Sequence, residues 1–165
     1  KTLGLSRPVY KNIYLLSSQE VERLFLSDEK SFQFEADAPF RKVSEAGTPR
    51  SITIGVAKVA EEPVDEDFNQ AAVYMIDIPE KREGRLLDID YRGDVARLYA
   101  NGILIDDNFY NGRHFQYALW RLPADCQQLE LRILPLQSEM PIYFPREAKV
   151  EKGGESLISV KVLSK

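Results

Sequence analysis

Paired carboxylates are the residues of this chain whose type and spacing could support catalysis. Asp88 and Asp90 stand two positions apart, and Asp106 is followed directly by Asp107. Glycoside hydrolysis needs two acids roughly 5 to 10 Å apart across the scissile bond, and alternate residues of a strand point the same way about 6.6 Å apart. The geometry therefore allows an acid pair at Asp88 and Asp90. Their alternation with apolar residues favours a simpler interpretation, the solvent face of a strand.

The chain has one histidine, His114, and one cysteine, Cys126. The chain therefore lacks the residues needed for an internal disulfide, for the usual zinc sites and for the histidine-dependent catalytic triads. The acidic run at residues 61–67 has neither the glycine turn nor the alternating ligands of a compact calcium loop, and is interpreted as solvated. We assign no catalytic residue, no metal and no cofactor.

The densest polar and aromatic cluster runs from residue 106 to residue 114 and is followed by Tyr117 and Trp120. Sugar sites combine a flat aromatic face with planar hydrogen-bonding side chains, because a pyranose has an apolar C–H face and a rim of hydroxyls. The same residue types also build hairpin corners, and a tryptophan within a strand often belongs to the core. The candidate carbohydrate-binding residues are Tyr110, Asn111, Arg113, His114 and Trp120.

Length and composition indicate one globular domain. The 165 residues are 44% apolar and 29% charged, with a net charge of -4. Such a chain has enough apolar surface for a core, and it contains no apolar run long enough to enter a membrane. No basic block is present that could neutralise several phosphates. We therefore expect neither nucleic acid as a partner nor membrane insertion.

The elements that must position these residues are strands. Short alternating or β-branched apolar runs recur along the chain, whereas sustained helical periodicity is scarce. In the last strand, Ile158, Val160 and Val162 are predicted to share one face. About ten such strands fit two packed antiparallel sheets better than one open sheet, because a single sheet would expose its apolar face to solvent. The predicted fold is therefore an all-β antiparallel sandwich. The predicted strands are residues 10–16, 21–26, 31–34, 51–59, 71–78, 86–91, 95–100, 103–109, 115–120, 128–134 and 156–163.

Turn-forming residues separate these predicted strands. Asn101 and Gly102 separate two strands by two residues, which is the signature of a tight hairpin. Residues 36–50, which include Pro39, Gly47 and Pro49, are predicted to form a long connection. Residues 61–68 are predicted to form a loop containing one helical turn.

The segment from Leu86 to Gly112 resembles a known family. It contains Gly93-Asp94, then Tyr99-Ala100-Asn101-Gly102, then Gly112, followed by Phe115-Gln116-Tyr117-Ala118-Leu119 and by Leu129-Glu130-Leu131-Arg132-Ile133. That order is similar to the galactose-binding-like jelly-roll modules of glycoside hydrolases, in particular those that follow the catalytic barrel in family 35 β-galactosidase-like proteins of Bacteroides type. The Tyr-x-Asn-Gly hairpin also occurs in sugar-binding-type domains of family 2 hydrolases.

The resemblance implies a jelly roll that is not catalytic by itself. Such a module packs on the catalytic barrel of the same polypeptide, and contact with galactoside-type glycans is a further expectation. Export to the periplasm or cell surface is also implied. An autonomous carbohydrate-binding module is the alternative, and a small β-sandwich hydrolase is a third interpretation. We expect residues 1–165 to be one sandwich domain excised from a longer chain, with residues 1–30 adding strands to a body formed by residues 31–165.

Overall fold

The computed structural model describes residues 2–3, 13–14, 31–137 and 154–164. The chain divides into two compact units, Lys1–Ser31 and Phe32–Lys165. In the first unit, strand β1 (Thr2–Leu3) pairs antiparallel with strand β2 (Ile13–Tyr14). β2 lies inside the predicted strand at residues 10–16, whereas the predicted strand at 21–26 lies outside the described residues. Among the described residues, no helix has the length and apolar character needed to cross a membrane.

The regular elements of the second unit, in its described residues, are strands and two short 3-10 helices. Most of the strands carry apolar residues at alternate positions, and turn-forming residues separate many of them. Its strands are β3 (Gln33–Asp37), β4 (Phe40–Ser44), β5 (Ala72–Asp77), β6 (Arg85–Arg92), β7 (Val95–Ala100), β8 (Ile103–Phe109), β9 (Phe115–Ala118), β10 (Gln128–Ile133) and β11 (Ser156–Ser164).

These strands form two antiparallel sheets that pack together as a sandwich. The five-stranded sheet has the order β4-β5-β10-β7-β8, and the four-stranded sheet has the order β3-β11-β6-β9. Without β4, the two sheets β5-β10-β7-β8 and β3-β11-β6-β9 have the strand order of a double Greek key, which is a jelly roll. β4 extends the five-stranded sheet at its edge beside β5. The predicted all-β sandwich is therefore confirmed.

The core lies between the inner faces of the two sheets. It is contiguous because alternate residues of each strand point inward and meet residues from the facing sheet. Its fully buried members include Ile76 from β5, Leu98 from β7 and Leu131 from β10 on one side, and Leu87 and Ile89 from β6 on the other. The outer faces therefore carry the polar alternates, and candidate sites lie there.

The hairpin between β7 and β8 has the predicted two-residue turn. Asn101 has φ 51° and Gly102 has φ 78°, so both residues are left-handed, as a type I′ turn requires. Gly93, in the turn before β7, serves close packing instead. A Cβ at that position would lie 2.4 Å from Cγ2 of Ile133 and 2.8 Å from the carbonyl oxygen of Leu134.

Two predictions between residues 36 and 59 are wrong. The predicted connection at residues 36–50 contains β4, whose five residues are all exposed and so lack the alternation that marks a half-buried strand. The predicted strand at residues 51–59 forms only one isolated bridge, between Ile54 and Ala60. Most of its β-branched residues are exposed; Val56, for example, is fully exposed. The helical turn expected within residues 61–68 is confirmed as the 3-10 helix Asp65–Gln70.

The predicted face of the last strand is also wrong at one residue. The register of β11 against β6 shifts between Leu157 and Ser159, so Ile158 is the extra residue of a bulge. Leu157, Val160 and Val162 are buried, whereas Ile158 is 46% exposed. A strict period of two cannot anticipate such a shift.

Candidate functional site

His114, Asp88 and Gln116 form a hydrogen-bonded cluster on the outer face of the four-stranded sheet. Asp88 lies opposite Gln116 in the register of β6 and β9, and His114 immediately precedes β9. His114 Nδ1 lies 2.7 Å from Asp88 Oδ2, and Gln116 Nε2 donates to Asp88 Oδ1 at 2.7 Å. His114 is therefore a hydrogen-bonded residue at the end of a strand.

Asp88 and Asp90 share one face of β6, as the sequence pattern predicts, but their environments differ. Asp88 is only 6% exposed and both of its oxygens hold hydrogen bonds. Asp90 Oδ2 lies 3.7 Å from His114 Nε2, so one imidazole stands between the two carboxylates. A pair of acids that flanks a glycosidic bond needs open space between the carboxyl groups, and here His114 occupies that position.

Asp106 and Asp107 do not face a common space. Asp106 pairs with Leu98, whose side chain enters the core, and Asp107 pairs with Arg97 in the next register position. Consecutive residues of a strand point to opposite faces of its sheet. The two carboxylates therefore cannot approach one substrate atom from both sides.

The loop between β8 and β9 holds three of the predicted site residues besides His114. The Tyr110 ring packs edge-on against Tyr91 at a centroid distance of 5.6 Å. The Asn111 side-chain oxygen accepts a hydrogen bond from the Arg113 amide at 2.9 Å, while Arg113 itself is exposed. Tyr110 and Asn111 thus have structural partners within the described chain.

Trp120 is separated from these loop residues. It lies in the 3-10 helix Leu119–Arg121, after the end of β9, so the prediction of a strand through residue 120 is wrong. Three strand rises of about 3.3 Å place the two ends of β9 about 10 Å apart, with His114 before one end and Trp120 after the other. Trp120 is 50% exposed, so the competing interpretation of this residue as part of the core is wrong. The structure brings Tyr110, Asn111, Arg113 and His114 into one loop region and leaves Trp120 outside it.

A groove of about 670 Å³ lies over the outer face of the five-stranded sheet. Its floor includes Met75 of β5, Glu130 of β10 and Tyr99 of β7, which are neighbours across three strands in the register. Asn101 and Gly102 of the hairpin turn line one end. The groove thus combines a phenol ring and a thioether with carboxylate and amide groups.

Loop residue Arg82 organises the end of the sandwich beside this groove. Its guanidinium donates to the carbonyl oxygen of Pro123 at 2.6 Å, to that of Pro79 at 3.4 Å and to that of Cys126. Arg82 therefore ties the connection from β5 to β6 to the connection from β9 to β10. It lines the groove, and it also lines a second cavity of about 360 Å³ that contains Trp120.

A third polar cluster joins β4 and β5 to the residue before β11. The Glu155 side chain, which is only 6% exposed, accepts hydrogen bonds from Lys42 Nζ at 2.8 Å and from the Tyr74 hydroxyl at 2.7 Å. The Glu155 carboxylate raises the pKa of the Lys42 ammonium, and burial raises the pKa of Tyr74. Lys42 therefore stays charged and Tyr74 stays neutral, which suits a structural tie and not a nucleophile.

Sequence reasoning missed Tyr99, Glu130 and Arg82 as candidate site residues. Tyr99 and Glu130 fall within the family motifs. Both alternate along their strands with apolar residues, and this pattern could have indicated that their side chains lie on the outer face of the sheet. No local pattern pointed to Arg82, since two of its three carbonyl partners, those of Pro123 and Cys126, lie more than 40 positions later in the chain. In the ranges 31–137 and 154–164, no three His, Cys, Asp or Glu side chains are grouped so as to hold a metal ion.

Comparisons of the chain with protein-family models, with curated proteins and with solved structures gave no match.

Proposed function

We propose that this chain is a non-catalytic jelly-roll module of a glycoside hydrolase of the β-galactosidase-like kind. In this proposal the module packs on the catalytic barrel of the same polypeptide and contributes a surface for carbohydrate. The parent enzyme works on glycans in the periplasm or at the cell surface. An autonomous carbohydrate-binding module is the alternative.

The observation that carries the proposal is the jelly-roll strand order together with the position of the family motifs in it. Tyr99, Asn101 and Gly102 form the end of β7 and its tight turn, and the alternating Leu and Ile residues of β10 form the core strand beside it. Gly93 occupies a position where the backbone of residue 134 approaches closely. The positions of these motifs in the jelly roll support the proposal.

The state of the carboxylates supports a non-catalytic role. Asp88 is buried and doubly hydrogen-bonded, and Asp106 and Asp107 point to opposite faces. A proton-transfer pair requires one carboxyl that meets the leaving oxygen and a second that meets the anomeric carbon or a water. Neither acid pair offers that arrangement.

The groove over the five-stranded sheet supports carbohydrate contact better than the loop at residues 110–114. Tyr99 offers a ring face, and Asn101, Gln128 and Glu130 offer planar hydrogen-bonding groups around it. Its volume of about 670 Å³ lies within the range of small-molecule sites, roughly 300–1,000 Å³. In the loop, Tyr110, Asn111 and His114 are held by internal contacts. Gln128 and Glu130 in the groove also have partners, so the groove is preferred for its volume and for the set of groups that line it.

The first experiment measures release of nitrophenol from aryl β-galactosides by the chain, with Asp88→Asn and Asp90→Asn as matched variants. We expect a rate equal to that of buffer for all three proteins. Turnover by the unmodified chain that either substitution abolishes would establish the small-hydrolase interpretation and overturn the proposal.

The second experiment titrates the isotope-labelled chain with galactose and lactose at millimolar concentrations, followed by amide NMR shifts. We expect weak saturable shifts, because one exposed sugar makes few contacts and stays largely hydrated. The absence of saturable shifts with both sugars would refute the carbohydrate part of the proposal. Strong retention of the chain on an insoluble glycan would instead favour the autonomous module.

A further inference from the structure

The groove and the Trp120 cavity are adjacent. Two residues line both of them, Glu80 and Arg82, which belong to the connection between β5 and β6. The groove extends from these residues over the sheet to Tyr99, and the second cavity extends from them to Trp120. The shared wall means that a ligand longer than one sugar ring could contact both aromatic side chains.

The shared wall is held in place by internal hydrogen bonds. All three nitrogens of the Arg82 guanidinium donate to backbone carbonyl oxygens of residues 79, 123 and 126. These hydrogen bonds hold the Arg82 side chain in its position between the two cavities. Three of the five N–H groups of the guanidinium are used in this way, which leaves two for a ligand.

The charge of the lining is strongly unbalanced. Among the described residues that line the two cavities, Arg82 is the only Lys or Arg, whereas carboxylates are contributed by Asp77, Glu80, Glu83, Asp125 and Glu130. Some of these carboxylates have partners: Gln128 Nε2 donates to Asp77 at 2.6 Å and Arg132 Nε donates to Glu130 at 2.5 Å. A surface with this excess of carboxylate repels anions and accepts hydrogen bonds from hydroxyl and ammonium groups.

The two aromatic side chains differ in how they are presented. Tyr99 is half-buried, and the Arg132 guanidinium lies 4.8 Å from its ring centroid. Trp120 is 50% exposed on a 3-10 helix of three residues, next to the buried Leu119 and Leu122. An indole that is anchored by buried neighbours and open on its outer side suits the apolar face of a sugar ring.

We propose that the groove and the Trp120 cavity form one extended site for a neutral or amine-bearing oligosaccharide, with Tyr99 and Trp120 contacting different sugar rings, and that this site rejects uronic-acid and sulfated glycans. This inference rests on the proposed carbohydrate-binding function and adds to it the length and charge class of the ligand. Glu80 and Arg82 form the ridge between the two halves.

The test is isothermal titration of the chain with three ligands of matched length: a β-galacto-oligosaccharide, a glucosamine oligosaccharide and an oligogalacturonate. We expect measurable affinity for the first two and at least tenfold weaker binding of the third. Tyr99→Ala and Trp120→Ala should each weaken the oligosaccharide affinity by roughly 3- to 10-fold, the size of a lost aromatic contact.

Phe34→Ala is the matched control, since Phe34 is an aromatic residue 58% exposed on a strand of the other sheet. Its affinity should equal that of the unmodified chain, and the urea midpoint of every variant should be measured to exclude unfolding.

If the oligogalacturonate binds as tightly as the two other oligosaccharides, the proposal that the site rejects anionic glycans is overturned. Binding that neither Tyr99→Ala nor Trp120→Ala weakens, with shifts that map to residues 110–114, would overturn the extended site and leave the proposed function standing. Failure of all three oligosaccharides to bind would overturn the extended site, and absent galactose and lactose shifts would then refute the carbohydrate function as well.

Discussion

The guanidinium of Arg50 forms a buried ion pair with Asp94, the aspartate of the Gly-Asp motif before β7. Arg50 Nε lies 2.6 Å from Asp94 Oδ2, and the two side chains are 8% and 5% exposed. The Asp94 backbone is also held, because its amide donates to Leu134 and its carbonyl accepts from Tyr110. Arg50 in turn donates to the carbonyl oxygen of Glu61 at 3.2 Å. One ion pair therefore anchors the irregular segment around residue 50 to the end of the sandwich.

Removing one member of this pair should destabilise the unit strongly. Asp94→Asn and Arg50→Met should each lower the free energy of unfolding by about 3 kcal/mol, because each leaves an uncompensated buried charge or donor. The double variant should lose less than the sum of the single losses. Urea denaturation of the four proteins measures this coupling, and strict additivity would mean that the two groups do not interact in solution.

The turn at Asn101 and Gly102 should tolerate side chains according to their preference for positive φ. Gly102→Val should cost more than about 1 kcal/mol, because a β-branched residue is strained at the left-handed conformation. Gly102→Asn is the matched control and should cost less, since asparagine adopts this region more readily. No heavy atom lies within 4 Å of a Cβ built at Gly102, so a loss cannot come from crowding. Equal denaturation midpoints for both variants would contradict the assignment of the turn.

Asp88 and Asp90 should differ in their contribution to stability although they stand two residues apart on one face. Asp88→Ala should cost roughly 1–3 kcal/mol, because His114 and Gln116 lose a shared, buried acceptor. Asp90→Ala should change the stability by less than about 0.5 kcal/mol, as is usual for a partly exposed surface charge. Thermal unfolding of both variants gives the comparison. A larger loss at Asp90 would show that the imidazole is held from the other side.

Stability should fall in alkaline solution. Burial raises the pKa of Tyr74, Tyr91, Tyr117 and Cys126 above the values these groups have in an unfolded chain, about 10 for tyrosine and about 9 for cysteine. Between the unfolded and folded pKa values the unfolded state binds fewer protons, so the free energy of unfolding decreases as the pH rises. Urea midpoints should be flat from pH 7 to about pH 8.5 and should decline above about pH 9. A rise over that upper interval would contradict the assigned direction of these pKa shifts.

The sequence predicted the elements whose signals are local. The hairpin of β7 and β8 was predictable because Asn101 and Gly102 both accept positive φ, and β10 was predictable from its strict alternation. β4 was not, since an exposed edge strand has no buried face to impose a pattern. The bulge at Ile158 could not be predicted either, because it depends on the register against β6.

In the candidate site, too, features set by neighbouring residues could be predicted, whereas contacts between residues far apart in the chain could not. His114 could be assigned to a strand end, but its partner Asp88 lies 26 residues earlier, and nothing in the sequence pairs the two. Trp120 was grouped with residues 110–114 because they are near in sequence. β9 separates them in space, and the Arg82 connection instead places Trp120 beside the groove. Cavities of this kind are formed by loops whose meeting depends on the completed fold.

The pairing of β3 with β11 determines how the second unit responds to mechanical force. Gln33, at the start of β3, lies opposite Ser164, at the end of β11, in an antiparallel pair. Both ends of the described sandwich therefore leave from one edge of the sheet, side by side. A pulling force applied at these ends acts along the hydrogen bonds between the strands, which run perpendicular to the strand direction. It loads those bonds one after another, so β3 and β11 separate by unzipping at low force, well before the strands in the middle of either sheet are strained.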